Sequence, residues 1–450
     1  MEERNMFLTK IRKLVKEGKI NEARKQIKEK LQREEDIEYR EKLLLELFRI
    51  DVLLTEYKLT YEEAFNEFKK EVPDITKEEF EKLIFENKLD CIYLEGKIFF
   101  FKDFLFNFFK LNSDWESKRT KKKEDESRQI LFKHQDEIKN KEGYIPSLKV
   151  RVRHSITINP ETLKEGEKVR VWIPLPRICE LHPTVKIISF YPVKPYISHE
   201  SSPQRTAYFE LYVNKNKTEV SVEYEYVSRA FHLYVDSSKI TDYDKNSDIF
   251  VKYTNEESPH IEFTSKLRKL AEEIVGGERN PYIKAKKVFT WIIKNIRYNL
   301  PYEYVLYDNI PEYVVEKRKG DCGMQALLFI TLCRISEVPA RWQSGWYMNP
   351  KRQSPHDWAQ FYVEPYGWLY ADPSFAGGMP DERKEFYFGN IDAFRMAANN
   401  EISAQFMPPK RHFRSDPVDN QRGEVELIDK NLFYNYWNYK TEVLSYEFLY

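Results

Sequence analysis

Three short runs, Gly320-Asp321-Cys322-Gly323, Ser354-Pro355-His356-Asp357-Trp358 and Trp368-Leu369-Tyr370-Ala371-Asp372-Pro373, lie within residues 319–375, and their reading decides the fold. Asp321 is a good N-cap residue, and Cys322–Ile335 has helical spacing. Cys322, Gln325 or Ala326, Phe329 and Cys333 return to one face of such a helix. The pattern predicts a buried helix with a thiol at its N-terminal tip. There the macrodipole and the free N–H groups stabilise a thiolate. With an imidazolium nearby, such placement lowers a thiol pKa from about 8.5 toward roughly 3.5–7.5. Gly320 and Gly323 leave room for a substrate backbone to approach. Cys333, mid-helix on the buried face, reads as an inert core thiol.

Downstream the period changes to two. Ala340–Trp346 and His356–Glu364 alternate as strands, Glu364-Pro365-Tyr366-Gly367 is a turn, and Trp368–Asp372 returns antiparallel. A regular register sets Asp372 against Ala359 or Gln360, about three residues from His356, so twist or a bulge is needed to bring the two side chains together. Thiol, imidazole and carboxylate are the three groups an acyl-transferring nucleophile needs. The thiolate attacks, the imidazole carries protons, and the carboxylate fixes the imidazole tautomer.

Working outward, 450 residues are enough for two to four domains at about 100–200 residues each. Lys plus Arg equals Asp plus Glu at 73 each, so no net basic field draws nucleic acid, and no nucleic-acid partner is expected. The four cysteines are too few for a disulfide scaffold and show no zinc-type spacing. No metal or other cofactor is expected, calcium included, because no acidic-loop motif is present. Met1–Asn5 lacks a signal-peptide layout, and the aromatic run Ile98–Phe109 is too short and too charged to span a bilayer. These features predict a cytoplasmic protein without a membrane span.

Along the chain, residues 1–57 read as a helical region. Residues 58–112 read as a small α+β module of winged-helix-like order, with Thr60-Tyr61-Glu62-Glu63 and Thr76-Lys77-Glu78-Glu79 as capping boxes before a hairpin. Residues 113–144 carry a mixed charge run and read as a charged linker. From 145 to 232 short alternating strands predict a β-sandwich. Residues 250–450 are left for a catalytic core with C-terminal strands, the last pair spanning Arg422–Leu427 and Leu432–Tyr439. In that tail Asp416, Asp419, Gln421 and Arg422 are expected to close one end of the cleft.

Gly320-Asp321-Cys322-Gly323, Val338-Pro339-Ala340-Arg341 with Ser344-Gly345-Trp346, His356-Asp357-Trp358, and Gly367-Trp368 through Asp372-Pro373-Ser374 together resemble the transglutaminase-like superfamily, in its prokaryotic branch. The resemblance runs from about Pro281 to Phe375, and more weakly back through Val171-Trp172-Ile173-Pro174-Leu175-Pro176. It implies an α+β multidomain protein whose core is papain-like, with a nucleophile helix packed on an antiparallel sheet. It makes Cys322 the nucleophile, His356 the general base and acid, and Asp372 the orienting carboxylate. The implied reaction is acyl transfer on amide bonds through an acyl-thioester, with hydrolysis of a peptide or glycopeptide favoured. Protein-glutamine cross-linking and a non-catalytic peptide- or glycan-binding module are the alternatives. The partner is then a peptide or protein substrate, glycosylated or not. For the oxyanion, the Cys322 N–H and a side chain of Trp342, Gln343 or Trp346 are candidate donors. Trp342, Gln343, Trp346, Trp358 and Tyr302 are candidate substrate-binding residues, with core packing as the plainer reading of the aromatic ones.

Overall fold

The computed structural model describes residues 2–119, 126–159 and 161–449. The centre of the charged run, residues 120–125, lies outside the described residues. The chain divides into two compact units, one formed by Met1–Glu124 with Asn299–Leu306 and the other by Asp125–Tyr298 with Tyr307–Tyr450.

In the first unit, α1 (Glu2–Lys16), α2 (Ile20–Leu31) and α3 (Ile37–Glu56) bury Ile11, Ala23, Ile27, Leu43 and Ile50 between them. They are followed by β1 (Tyr57–Thr60), α4 (Tyr61–Glu71), α5 (Lys77–Phe85), β2 (Cys91–Leu94), β3 (Lys97–Phe101) and α6 (Phe104–Leu111). Thr60 and Thr76 close the two capping boxes on Glu63 and Glu79. The strands form an antiparallel sheet of order β1-β3-β2 over a core rich in phenylalanine, including Phe68, Phe80, Phe100 and Phe108.

The second unit opens with α7 (Glu126–Ile138), β4 (Gly143–Ile158), β5 (Lys168–Pro174), β6 (Thr184–Tyr191), β7 (Tyr196–Ile197), β8 (Thr206–Tyr212) and β9 (Thr218–His232). Five helices come next: α8 (Asp248–Tyr253), α9 (Ser265–Val275), α10 (Pro281–Asn295), α11 (Ile310–Lys317) and α12 (Cys322–Ile335). The chain ends with β10 (Ala340–Asn349), β11 (Arg352–Val363), β12 (Gly367–Ala371), α13 (Pro373–Gly377), α14 (Asp381–Lys384), β13 (Phe388–Gly389), β14 (Arg395–Asn399), β15 (Glu424–Glu426), β16 (Asn431–Leu432) and β17 (Trp437–Phe448). Three antiparallel sheets result, of order β17-β4-β9-β6, β16-β15-β5-β8-β7 and β13-β12-β11-β10-β14. The first two build the sandwich, whose period-two strands turn Val150, Val152, Val171, Ile173 and Val222 inward.

Two features differ from the sequence reading. The tail strands extend the sandwich: β15 pairs with both β16 and β5, and β17 runs along β4. The helix α12 is buried on every side from Cys322 to Arg334, not along one stripe. It is enclosed by α9, α10, α11, β10 and β11, so Met324, Leu327, Ile330 and Leu332 are as buried as the predicted face. The expected mixture of helical and antiparallel layers, with the cysteine helix laid on a sheet, is present. Among the described residues no helix is long and apolar enough to cross a membrane.

Candidate active site

The helix tip forms as its sequence dictates. The Asp321 side chain accepts the Met324 N–H at 3.0 Å and caps α12 one residue before Cys322. The thiol is buried and donates to Asp357 Oδ2 at 3.3 Å. The Asp357 backbone N–H is a second hydrogen-bond partner of the sulfur.

The strand pair positions the other two residues. Ala371 faces Ala359 across the β11–β12 ladder, so Asp372 falls opposite Trp358, one residue nearer His356 than a regular turn predicts. Residues 356 and 358 share a strand face, and Asp372 therefore reaches His356 without a bulge. His356 Nε2 and Asp372 Oδ2 lie 2.7 Å apart. The other oxygen of Asp372 accepts the Phe375 N–H at 3.0 Å and the Ser374 hydroxyl at 2.9 Å, which makes the same carboxylate the cap of α13. Arg395, at the start of β14, donates to Asp372 Oδ2 at 2.8 Å and to Asp392 Oδ2 at 2.9 Å.

His356 and Asp372 are thus brought together, while the thiol's side-chain partner is Asp357. The contacts follow strand alternation. Asp357 and Phe361 meet α12 through Cys322 and Phe329, whereas His356 packs against Tyr347, Phe375 and Trp358. Two half-sites result, joined by the His356–Asp357 peptide bond.

Their electrostatics are opposite. Burial pushes the Cys322 thiol well above its ordinary range, and Asp357 and Asp321 push it further. Burial also raises the Asp357 carboxyl, aided by Asp419 and Asp321. The helix tip alone predicts a depressed thiol pKa; burial among acids outweighs it. In the other half-site burial opposes the Asp372 carboxylate, yet His356 and Arg395 outweigh it and hold the group at about 2. His356 is lowered, chiefly by burial with Arg395 adding, against the opposing pull of Asp372. The imidazole is therefore neutral at pH 7 and free to accept a proton.

The tail loop does reach the site. Gln421 Nε2 donates to the His356 carbonyl at 3.0 Å and to Asp357 Oδ1 at 2.5 Å. Asp419 accepts from the Ser344 hydroxyl, which also accepts the Trp342 indole N–H at 3.0 Å. Burial and Asp419 bring Asp416 up to about 7.

The candidate substrate residues are placed mostly in packing roles. Trp342, Gln343, Trp346 and Trp358 are all buried. The Trp346 indole donates to the Gln421 carbonyl and the Trp358 indole to Gln343 Oε1, both at 2.8 Å. The indole N–H groups of Trp342 and Trp346 are therefore already engaged and are not free oxyanion donors. Tyr302 packs on Tyr57 and Phe101 within the first unit. Asp321, Cys322 and Asp357 bring three donor atoms within 4.8 Å of one another. One of these contacts is the sulfur–carboxylate hydrogen bond, and we assign no metal to the group.

Sequence reasoning missed Asp357 as the thiol's partner and Arg395 as the carboxylate's. Asp357 stood in the quoted motif, and its place beside the histidine was the available signal. Arg395 gave none, since only the pairing of β14 with β10 brings it in.

The model of the transglutaminase-like superfamily matches residues 268–373, from α9 to the first residue of α13. The resemblance read from the motifs is shown over that segment. A comparison with curated proteins gives no match. Among solved structures, the chain is similar to a candidate cysteine protease from Cytophaga hutchinsonii at 16% identity and TM-score 0.44, covering 67% of this chain and 92% of that one. It is also similar to the periplasmic domain of TgpA from Pseudomonas aeruginosa at 13% identity and TM-score 0.27, covering 54% and 91%. A candidate protease from Parabacteroides distasonis follows at 12% identity and TM-score 0.24, covering 58% and 48%.

Proposed function

We propose that the protein is a thiol-dependent acyl-transfer enzyme acting on amide bonds, with hydrolysis of a peptide or glycopeptide as the net reaction. The observation that carries this reading is the 2.7 Å His356–Asp372 pair, one peptide bond from the residue that holds the Cys322 thiol. Cys322 is the nucleophile. The thiol proton passes to His356, the sulfur attacks the acyl carbon, and the carbonyl π electrons move onto oxygen. The C–N bond then breaks and the amine leaves with a proton delivered by His356, which stores an acyl-thioester. Water attacks the thioester with His356 as base, the C–S bond breaks, and the thiol is restored. Asp372 holds the imidazole tautomer and offsets its charge when it is protonated. The Cys322 backbone N–H, at the tip of α12, is one oxyanion donor.

A cytoplasmic setting is part of the reading, supported by four cysteines that are all unpaired, and so is a protein or peptide partner in preference to nucleic acid. The test is amine release from a library of peptide and glycopeptide amides. Wild type is expected to release amine and Cys322→Ala to release none above background. Equal release by the two proteins would refute the reading.

A further inference from the structure

We infer that Arg177, Arg205 and Arg341 form a binding site for a carboxylate carried by the peptide substrate, at one end of the catalytic sheet. The peptide carrier rests on the acyl-transfer reading; the anion site does not. Arg177 and Arg205 are only 8% and 5% exposed, and their contacts are to neutral acceptors. Arg177 Nε donates to the Ser202 carbonyl at 2.9 Å. Its two terminal nitrogens donate to the Asn400 side-chain oxygen at 3.1 and 3.3 Å, in the amide orientation that satisfies both residues. Arg205 Nη1 donates to the Pro176 carbonyl at 2.8 Å, while its Nε is buried and meets no acceptor among the described residues. Arg341, half-buried, donates from Nε to Gln360 Oε1 at 2.9 Å and lies 3.9 Å from the centre of the Trp368 ring.

A buried charge is ordinarily paired, because taking it out of water without a counter-ion is costly. The other buried arginines among the described residues obey this. Arg170 holds Glu426, Arg334 holds Glu257, and Arg395 holds Asp372 and Asp392. Arg177 and Arg205 hold no carboxylate of the chain. Burial lowers the pKa of both, Arg341 adds repulsion to Arg177, and Arg177 adds it to Arg205. Glu180, Glu401 and the Cys179 thiol act on Arg177 and Glu200 acts on Arg205, all from beyond ion-pair contact. Guanidinium forks match a carboxylate in shape as well as charge. The cluster is tied to the catalytic sheet: the Arg177 and Arg205 N–H groups donate to the Ala397 and Ala398 carbonyls of β14 at 2.8 and 3.3 Å. Arg341 faces Gln360 and Gly345 faces His356 in one β10–β11 register, so Arg341 and His356 share a face of the sheet. The four strand residues from Gln360 to His356 span about 14 Å, the reach of about four residues of extended peptide. The site therefore suits an acidic side chain or a terminal carboxylate about four residues from the bond that is cut.

The test has two arms, both on the full chain at pH 7. The first is thermal unfolding in rising glutarate, against glutaramide with sodium chloride at matched ionic strength. Glutarate is expected to raise the wild-type Tm by about 2–4 °C at saturation. Arg341→Met removes the least buried of the three cations and is expected to lose that rise. Arg205→Met is run beside it, and either folded variant suffices. Arginines that serve only to fix the carbonyls of Pro176 and Ser202 predict no rise, and that result overturns the site. So does a rise that the variants keep. A rise with inorganic phosphate and none with glutarate overturns the carboxylate assignment. The second arm is amine release from two pairs of peptide amides, one with Glu or Gln about four residues from the scissile amide and one with a free or an amidated C-terminus. The acidic member of one pair is expected to show about tenfold higher kcat/KM, through KM, and the pair identifies the source of the carboxylate. In Arg341→Met the ratio is expected to fall to about one. Equal kcat/KM within both pairs overturns the substrate carboxylate. A glutarate shift lost in the variants, without amide turnover, keeps the anion site and retires acyl transfer; turnover with neither shift nor preference retires the site alone.

Discussion

The two half-sites hold the same kinds of atoms and treat charge in opposite ways. Around the imidazole, positive and negative groups alternate from Asp392 through Arg395 and Asp372 to His356, and each buried charge has a partner. Around the thiol, Asp357 and Asp321 act on the sulfur and Asp419, Asp321 and Asp416 act on Asp357, while Arg414 and Arg422 act on the outer acids Asp416 and Asp419. Cys322 and Asp357 are buried, as His356 and Asp372 are, so burial of the central groups is not the difference. The partners are. His356 and the Arg395 guanidinium from β14 together turn a buried carboxylate from a proton holder into a fixed charge. In the proposed mechanism the sulfur rests protonated in one half-site while a neutral imidazole is held in the other.

The comparison is easiest to break by removing chemistry. Cys322→Ala and His356→Ala are each expected to lower kcat for amide hydrolysis by about 10⁴-fold or more. Asp372→Asn is expected to lower kcat by about 10⁴-fold and also to destabilise the fold by about 3–5 kcal/mol in urea unfolding, since Arg395 and His356 lose a shared partner. A loss of activity without loss of stability would show that Asp372 is not the anchor of that half-site.

Arg395→Met sharpens the contrast. The guanidinium lowers the His356 pKa, so its removal raises it and moves the acid limb of kcat/KM to higher pH. Activity near pH 6 falls most, and the variant loses about 3–5 kcal/mol of stability. A limb that stays in place would separate Arg395 from the imidazole.

The smallest effect is in stability against pH. The Asp372 pKa is depressed, so its contribution is fully present above about pH 4 and is lost as pH falls through about 2. The Asp357 pKa is raised, so the folded state keeps a proton that the unfolded chain releases, and stability declines as pH rises above about 4. Asp357→Asn is expected to flatten that decline, by about 1.4 kcal/mol for each unit of the raised pKa. Parallel stability curves for wild type and variant between pH 4 and 8 would contradict it.

Much of this was legible in residues 319–375. Asp321 caps a helix, the strands alternate, and Glu364–Gly367 turns the chain, because each is a local preference. What was not legible depends on contacts made at a distance. The register that sets Asp372 opposite Trp358 depends on how the turn at Pro365 closes. The depressed thiol expected of a helix tip is overruled by burial, with Asp357 of β11 and the capping Asp321 adding to it. Trp342, Trp346 and Trp358 read as groove residues from their composition, yet strand alternation and indole hydrogen bonds bury them. Arg395 carries no local signature at all.

The central claim is that the two half-sites act on one bond. It is tested most directly by a crystal structure of the protein with a peptide aldehyde bound covalently to Cys322. The account predicts the His356 ring within about 3.5 Å of the sulfur or of the hemithioacetal oxygen, with Asp372 still bonded to Nε2. A ring left on Asp372 and out of hydrogen-bond reach of both atoms would contradict it.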